Sequence, residues 1–143
     1  MHPERYMTLP EFQGEQFEKG LKVRKEVLGE SYVNASLASA DELTAPLQKL
    51  VTEWCWGEVW TRPGLDRKTR SFLNLAMLTA LNRPHEVKIH VRGAINNGLT
   101  EEEIVEVILQ AAIYCGVPAA MDSMRIAAEV IRQMRTEKAG DAG

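Results

Sequence analysis

The chain has 143 residues, of which 45% are hydrophobic and 26% charged, with a formal net charge of -3. This balance is typical of a globular protein with one domain, over residues 1–143, and it argues against a nucleic-acid partner, which normally requires a basic surface. The opening "MHPERYMTLPEFQGEQ" has no apolar segment typical of a secretory signal, and no apolar run is long enough to cross a bilayer. A cytoplasmic location is therefore predicted.

Helix signals appear throughout the chain, and no segment reads as a β-strand. The first predicted helix runs from about Pro10 to Leu28, and Gly29 stops it. The polar segment "SYVNASLASADELT" that follows is predicted to be irregular. Thr44 then N-caps a helix that starts near Pro46, carries "LQKLVTEWCWGEVW" and ends before "TRPGL".

The second half of the chain has equally clear helix boundaries. Asp66 is predicted to cap "RKTRSFLNLAMLTALN". Pro84 opens the next helix, which "NNG" closes at Gly98. Thr100 and Glu103 form a predicted capping box for "EEEIVEVILQAAIYC".

A last helix is predicted after "GVP", from about Ala119 to near Glu137, with a frayed tail "KAGDAG". The fold class is therefore all-α, a single-domain bundle of about six helices. Two of the helices, "SFLNLAMLTAL" and "IVEVILQAAIYC", are apolar around most of their circumference, which predicts burial on nearly all sides. A short monomer has little room for two such helices, so a homo-oligomer is expected.

No metal site is expected from the cysteines or the histidines. Cys55 and Cys115 lie far apart in apolar helical context, where each is predicted to be a small buried hydrophobe. A zincin motif needs its second histidine four residues after the first. Here His85 and His90 are five apart, roughly 140° around a helix, so their rings cannot converge on one ion.

Glu86 and His90 share one helix face at i, i+4 spacing, close enough for a carboxylate to hydrogen-bond an imidazole. One interpretation is an ordinary surface pair that contributes little. The other is an acid–base pair in which Glu86 fixes the tautomer of His90 and keeps the ring protonated longer. Spacing alone leaves both open. His2 and His85 are expected at the surface.

All three tryptophans of the chain fall within seven residues, close to several charged side chains. The tryptophans are Trp54, Trp56 and Trp60, and the charged residues are Glu58, Arg62, Arg67 and Arg70. The aromatic rings are either anchors of a core or interface, or flat walls for a small carboxylated ligand that the arginines bind.

The chain resembles the 4-carboxymuconolactone decarboxylase family over roughly residues 15–134. The resemblance rests on "WGEVWTRPGLDRKTRS", "LNLAMLTALNR" and "HEVKIHVRGAINNGLTEEEIVEVILQAAIYCGVPAA", which occur in the family's order. The wider family includes alkyl hydroperoxidase D, and the resemblance implies its all-helical fold, with subunits assembled into a hexamer.

The redox members of that wider family carry a CxxC motif, followed by histidine, alanine and glycine at four-residue steps. His90, Ala94 and Gly98 keep this frame. Arg83 and Glu86 stand where the cysteines would be, so the thiolate pair that peroxidase chemistry requires is missing at those positions. The resemblance therefore favours the decarboxylase branch.

The resemblance implies that gamma-carboxymuconolactone loses CO2 to give β-ketoadipate enol-lactone, a step of protocatechuate catabolism. No cofactor is expected, because electrons from the breaking bond can flow through the ring double bond to the lactone carbonyl. His90 is assigned as the general acid, oriented by Glu86. Alternatively, His90 donates a hydrogen bond to the lactone oxygen. Glu58 would repel the departing carboxylate or act as a second acid, unless it is simply a solvated charge.

The substrate carboxylates need cationic partners, and Arg62 and Arg70 are the candidates. One arginine should hold the acetate arm, since a tight grip on the departing carboxylate would slow its loss. Trp56 and Trp60 are candidates for apolar walls around that leaving group.

Three other functions remain open. A paralogue of the decarboxylase would act on another carboxylated lactone or keto acid. A thiol-dependent hydroperoxide reductase would depend on Cys55 and Cys115. A non-catalytic helical oligomer would bind a small ligand or a protein partner.

Overall fold

The computed structural model describes residues 8–141, so His2 lies outside the described part of the chain. Within residues 8–141 there is no β-strand, and the predicted all-α class is confirmed. A 3₁₀-helix covers Pro10–Phe12, and a π-helix, Val51–Val59, continues the third α-helix. The α-helices are α1 (Glu15–Leu28), α2 (Glu30–Ala38), α3 (Ala45–Leu50), α4 (Arg67–Ala80), α5 (Pro84–Asn96), α6 (Glu101–Cys115) and α7 (Val117–Asp141).

The chain divides into two compact units, one up to Leu65 and the other from Asp66 onward. In the first unit, α1 packs along the π-helix and contacts α2. Arg24 of α1 is buried there, and its Nη1 donates to Gln48 Oε1 at 2.9 Å and to Thr52 Oγ1 at 3.2 Å. Gln48 lies on α3 and Thr52 on the π-helix, so these bonds link α1 to both. They also compensate the buried guanidinium for the hydrogen bonds to water that it loses.

The prediction of an irregular segment after Gly29 is wrong, because α2 occupies most of that segment. Val33 and Leu37 lie one helical turn apart on α2, and both are fully buried. The break at Gly29 itself is confirmed, since its φ of 93° lies in the region that favours glycine. Thr44 does precede α3, but its side chain does not cap that helix.

The π-helix replaces the second half of a predicted α-helix. Its wider turn is visible at its end, where the amide of Trp60 donates to the carbonyl of Cys55, five residues earlier, at 3.0 Å. The wider turn changes which side chains share a face. Side chains of this segment therefore point in directions around the helix axis that differ from those an α-helical period predicts.

In the second unit, α4, α5, α6 and α7 surround a single apolar core. Its most buried members are Leu75 on α4, Val87, Val91 and Ala94 on α5, Ile104 on α6 and Ala127 on α7. Each helix contributes apolar residues at helical spacing, which is the pattern that the sequence predicts for amphipathic helices around one core.

The helix starts predicted at Asp66, Pro84 and Thr100 are confirmed, whereas α7 begins at Val117 rather than near Ala119. Asp66 accepts a hydrogen bond from the Thr69 amide at 2.7 Å and so caps α4. Thr100 and Glu103 form both bonds of the capping box at the start of α6, at 2.9 and 3.0 Å. Gly98, with a φ of 96°, follows the end of α5.

The prediction of a frayed tail is wrong over residues 138–141, because α7 continues to Asp141. Two ion pairs lie directly before this extension. Arg92 of α5 donates to both carboxylate oxygens of Glu137, at 2.9 and 3.0 Å, and Arg135 pairs with Glu101 of α6. These two arginine–carboxylate pairs link this part of α7 to α5 and α6. Residues 142 and 143 lie outside the described range.

Burial of α4 and α6 on nearly all sides is not what the single chain shows, since each keeps one apolar face in contact with solvent. Leu73 and Met77 of α4 are 45% and 52% exposed. Leu109 and Ile113 of α6 are 50% and 80% exposed, and Met121 of α7 is 64% exposed. We call these five residues the apolar face. Among residues 8–141, none of the helices is long and apolar enough to cross a membrane.

Candidate active site

His90 lies on α5 with 8% of its surface exposed, between the buried apolar residues Ile89 and Val91. Its neighbours Val87, Val91 and Ala94 on α5 belong to the apolar core, and they carry the ring inward with them. Burial lowers the pKa of His90 from 6.5 to about 4. The imidazole is therefore neutral near pH 7 and can give or accept a hydrogen bond without carrying charge.

The expectation that Glu86 keeps His90 protonated longer is wrong in its direction. A carboxylate close to the ring would raise the pKa of His90, whereas burial lowers it. Glu86 is exposed, one turn before His90 on α5. His85 and Lys88 are exposed as well. The role of Glu86 in orienting His90 stays a prediction.

Asn74 of α4 is a residue that the sequence analysis did not single out. Its Nδ2 lies 3.5 Å from Nδ1 of His90, and the side chain is partly buried. The signal in the sequence is slight, a single polar residue inside the apolar run "FLNLAM". Only the packing of α4 against α5 shows which residue the amide meets.

Arg70 lies one turn before Asn74 on α4, at i, i+4 spacing, so the two side chains are neighbours on one face. Arg70 is partly buried. A guanidinium thus lies on the same face of α4 as the amide that contacts His90, and these three residues form the candidate group. Of the predicted site residues, Arg70 and His90 belong to this group.

Apart from Glu86 on α5, the other predicted site residues lie in the first unit. Trp56 and Trp60 are 3% and 5% exposed, and their rings stack with centroids 4.8 Å apart and planes 24° from parallel. Such a pair anchors the interior of its unit. Trp54, in contrast, is 61% exposed. Glu58 and Arg62 form an exposed ion pair with a nitrogen–oxygen distance of 3.8 Å, which contributes little to stability.

The predicted burial of the cysteines is wrong for Cys115, which is exposed near the end of α6, while Cys55 is partly buried. Cys115 lies at an apolar groove of about 530 Å³ between α4 and α6, where Phe72, Leu73 and Tyr114 also contribute. Within residues 8–141, no three histidine, cysteine or acidic side chains are grouped so that they could hold a metal ion.

Residues 45–129 match the carboxymuconolactone decarboxylase family. The chain belongs to this family. It is 50% identical to the nitrosuccinic acid decarboxylase of Metarhizium robertsii over 118 aligned residues, and this alignment covers 82% of each chain. It is 42% identical over 120 residues to the 4-carboxymuconolactone decarboxylase of Acinetobacter baylyi, covering 84% of this chain and 90% of that one.

A third relative is an uncharacterised 15.0 kDa protein of Paracoccus denitrificans, 32% identical over 97 residues, or 66% of this chain and 72% of that protein. The predicted family is thus confirmed. Both relatives with a named activity are decarboxylases. The family match and these two relatives support the conclusion that this protein is a carboxy-lyase.

Proposed function

We propose that this protein decarboxylates gamma-carboxymuconolactone to β-ketoadipate enol-lactone without a cofactor. The observation that carries the proposal is a buried His90, 3.5 Å from the side-chain amide of Asn74 on α4, in a chain of the carboxymuconolactone decarboxylase family. The 42% identity to a 4-carboxymuconolactone decarboxylase supports the choice of substrate.

The proposed reaction has two chemical steps, loss of CO2 and addition of a proton. When the bond to the γ-carboxylate breaks, CO2 leaves and the electron pair moves through the ring double bond to the lactone carbonyl. The product of this step is a dienolate, whose negative charge lies largely on oxygen. A proton then adds to the ring carbon beside the carbonyl. The protein must stabilise the oxygen charge, supply that proton and hold the acetate arm.

His90 suits the first of these tasks. A ring with a pKa of about 4 is almost entirely neutral near pH 7, so little imidazolium is present to act as a general acid. A neutral imidazole can still donate its one N–H to the developing oxyanion. In a site away from water such a donor is worth roughly 3–4 kcal/mol of barrier. Burial therefore favours the oxygen-donor role over the proton-donor role that the sequence suggested first.

Arg70 is the better supported candidate for holding a substrate carboxylate. It lies beside Asn74, the residue that contacts His90. Partial burial lets a guanidinium bind a carboxylate with less competition from water. Arg62 is 64% exposed and faces Glu58. The substrate-binding roles of Arg62, Trp56 and Trp60, and the second-acid role of Glu58, stay predictions.

A second candidate substrate is nitrosuccinic acid, favoured by the 50% identity to a nitrosuccinic acid decarboxylase. The two substrates share one chemical principle. Each is a small dicarboxylate, and the carbon that loses CO2 is attached to a group that takes up the electron pair. In nitrosuccinic acid that group is the nitro group, which becomes a nitronate. A neutral N–H donor stabilises charge on a nitronate oxygen as it does on a dienolate oxygen.

We further propose that the protein is a homo-oligomer and that the apolar face is buried between copies. Leu73, Met77, Leu109, Ile113 and Met121 lie on three neighbouring helices of the second unit, and each is at least 45% exposed in the single chain. An apolar surface shared by adjacent helices is typical of a subunit interface. A hexamer is the assembly that the family resemblance implies.

The test is direct. Purified protein, treated with a metal chelator and dialysed, is mixed separately with gamma-carboxymuconolactone and nitrosuccinic acid, and CO2 release is measured against a blank without protein. The proposal predicts turnover of the lactone. Turnover of nitrosuccinic acid alone would replace the first substrate with the second. No CO2 from either substrate would overturn both assignments.

A further inference from the structure

The contact between Asn74 and His90 joins two groups with unequal hydrogen-bonding abilities. The side-chain nitrogen of asparagine can only donate, and this nitrogen faces Nδ1 of the ring at 3.5 Å. A ring nitrogen that accepts a hydrogen bond carries no proton of its own. In a neutral imidazole the single proton must then be on Nε2.

The position of that proton determines what the ring can do. With the proton on Nε2, that nitrogen is a donor, and a donor is what a growing negative charge on oxygen needs. With the proton on Nδ1, Nε2 becomes an acceptor and repels the same oxygen. In water the two neutral tautomers interconvert freely, so a partner at Nδ1 is needed to select one of them.

We propose that Asn74 is a positioning residue that donates to Nδ1 of His90 and thereby holds the proton of the ring on Nε2. Its catalytic meaning rests on the proposed function, whereas the tautomer is a property of the protein alone. Asn74 is well placed for this task because it is partly buried on α4, a helix fixed at its start by the Asp66 cap.

An amide also suits this chemistry better than a carboxylate. As Nε2–H donates to the oxyanion, electron density builds up on the ring, and a donor at Nδ1 stabilises that density. A carboxylate at position 74 would instead accept from Nδ1–H and favour an imidazolium, as the aspartate of a hydrolase triad does. Asn74 is therefore a neutral partner for a ring that stays neutral.

The opposite arrangement is chemically possible, which makes the inference testable. Rotation of the Asn74 amide by half a turn would present its carbonyl oxygen, which would accept from Nδ1–H and select the other tautomer. Two-bond proton–nitrogen correlation spectra of nitrogen-15-labelled protein near neutral pH distinguish the two forms. The signal missing from the His90→Gln spectrum belongs to His90.

We expect His90 of the wild type in the Nε2–H form. Asn74→Leu, which removes the donor at similar size, should yield a mixture of tautomers, and Asn74→Asp should shift the ring to Nδ1–H. Asn97→Leu is the matched control, because the Asn97 amide donates to Ser71 Oγ at 2.9 Å. It should leave the His90 tautomer unchanged. In a substrate assay, Asn74→Leu should lower kcat by about 10-fold or more with little change in KM.

Two results would overturn the inference whatever the substrate is. One is a wild-type ring in the Nδ1–H form, which needs no variant to measure. The other is an unchanged tautomer in both folded Asn74 variants. If the tautomer follows Asn74 but the wild type turns over neither substrate, the positioning role stands and the proposed function fails.

Discussion

Gly20 of α1 packs so closely against the π-helix that a Cβ atom on it would lie 1.8 Å from the carbonyl oxygen of Thr52. The two helices therefore touch backbone to backbone, and any side chain at position 20 would force them apart. Trp56 lies farther along the same π-helix and Trp60 directly follows its end, so this contact fixes the segment that carries both rings.

Gly20→Ala should lower the free energy of unfolding by about 3 kcal/mol, because the neighbour that must move is backbone rather than a flexible side chain. Urea denaturation measures the change. Gly64→Ala is the matched control, since its added methyl group would meet no heavy atom within 4 Å. Equal stability of the two variants would show that α1 and the π-helix can separate without cost.

The burial of His90 predicts a pH dependence of stability. Its pKa in the folded protein, about 4, lies below the usual 6.5, so the unfolded chain binds the proton first as the pH falls. This contribution is complete above about pH 6.5 and is lost toward pH 4. Between about pH 7.5 and 4.5 the loss should be roughly 2–3 kcal/mol.

The contribution of His90 can be isolated by comparing two histidine variants. His90→Gln should remove this part of the pH dependence, measured as the difference in unfolding free energy between the two pH values. His85→Gln changes an exposed histidine of the same helix and should retain the wild-type dependence. An identical pH dependence in wild type and His90→Gln would contradict the buried, neutral ring.

The apolar face predicts a change in assembly. Ile113 is 80% exposed in the single chain, and a lysine there would place a charge inside the proposed interface. Ile113→Lys should reduce the molar mass that light scattering measures after size-exclusion chromatography. Leu43→Lys, at an equally exposed leucine of the first unit, should leave the mass unchanged. A monomeric wild type would contradict the proposal outright.

The thiols should be dispensable. Cys115 is exposed and Cys55 is partly buried, but neither is in a CxxC motif. We expect the double variant Cys55→Ser, Cys115→Ser to keep decarboxylase activity within about twofold of the wild type, because the proposed reaction forms no bond to sulfur. Thiol-dependent peroxide reduction by the wild type, lost in this variant, would favour the peroxidase alternative instead.

The features that sequence predicted well are those decided by a few neighbouring residues. Asp66 and the Thr100–Glu103 pair cap their helices through bonds that span three residues. The same local reading failed for α2, where serine and asparagine suggested a loop. The spacing of Val33 and Leu37 was the better signal, because burial of one face outweighs weak helix propensity.

The remaining features depend on how helices pack. The π-helix has no signature in hydrophobic period, and the approach of Gly20 to Thr52 appears only once α1 lies against it. His90 could be selected from sequence as a functional candidate. Its neutral state and its contact with Asn74 required the register of α4 against α5, which no spacing within one helix reveals.

The role of His90 is tested by steady-state decarboxylation with His90 variants, on whichever substrate the wild type turns over. His90→Ala should lower kcat/KM by about 10² or more, and His90→Gln should lose less, because its amide still carries an N–H donor. His85→Ala should match the wild type. If the wild type is active and the folded His90→Ala variant is equally active, the protein is still a decarboxylase. That result would contradict the assignment of His90 as its central residue.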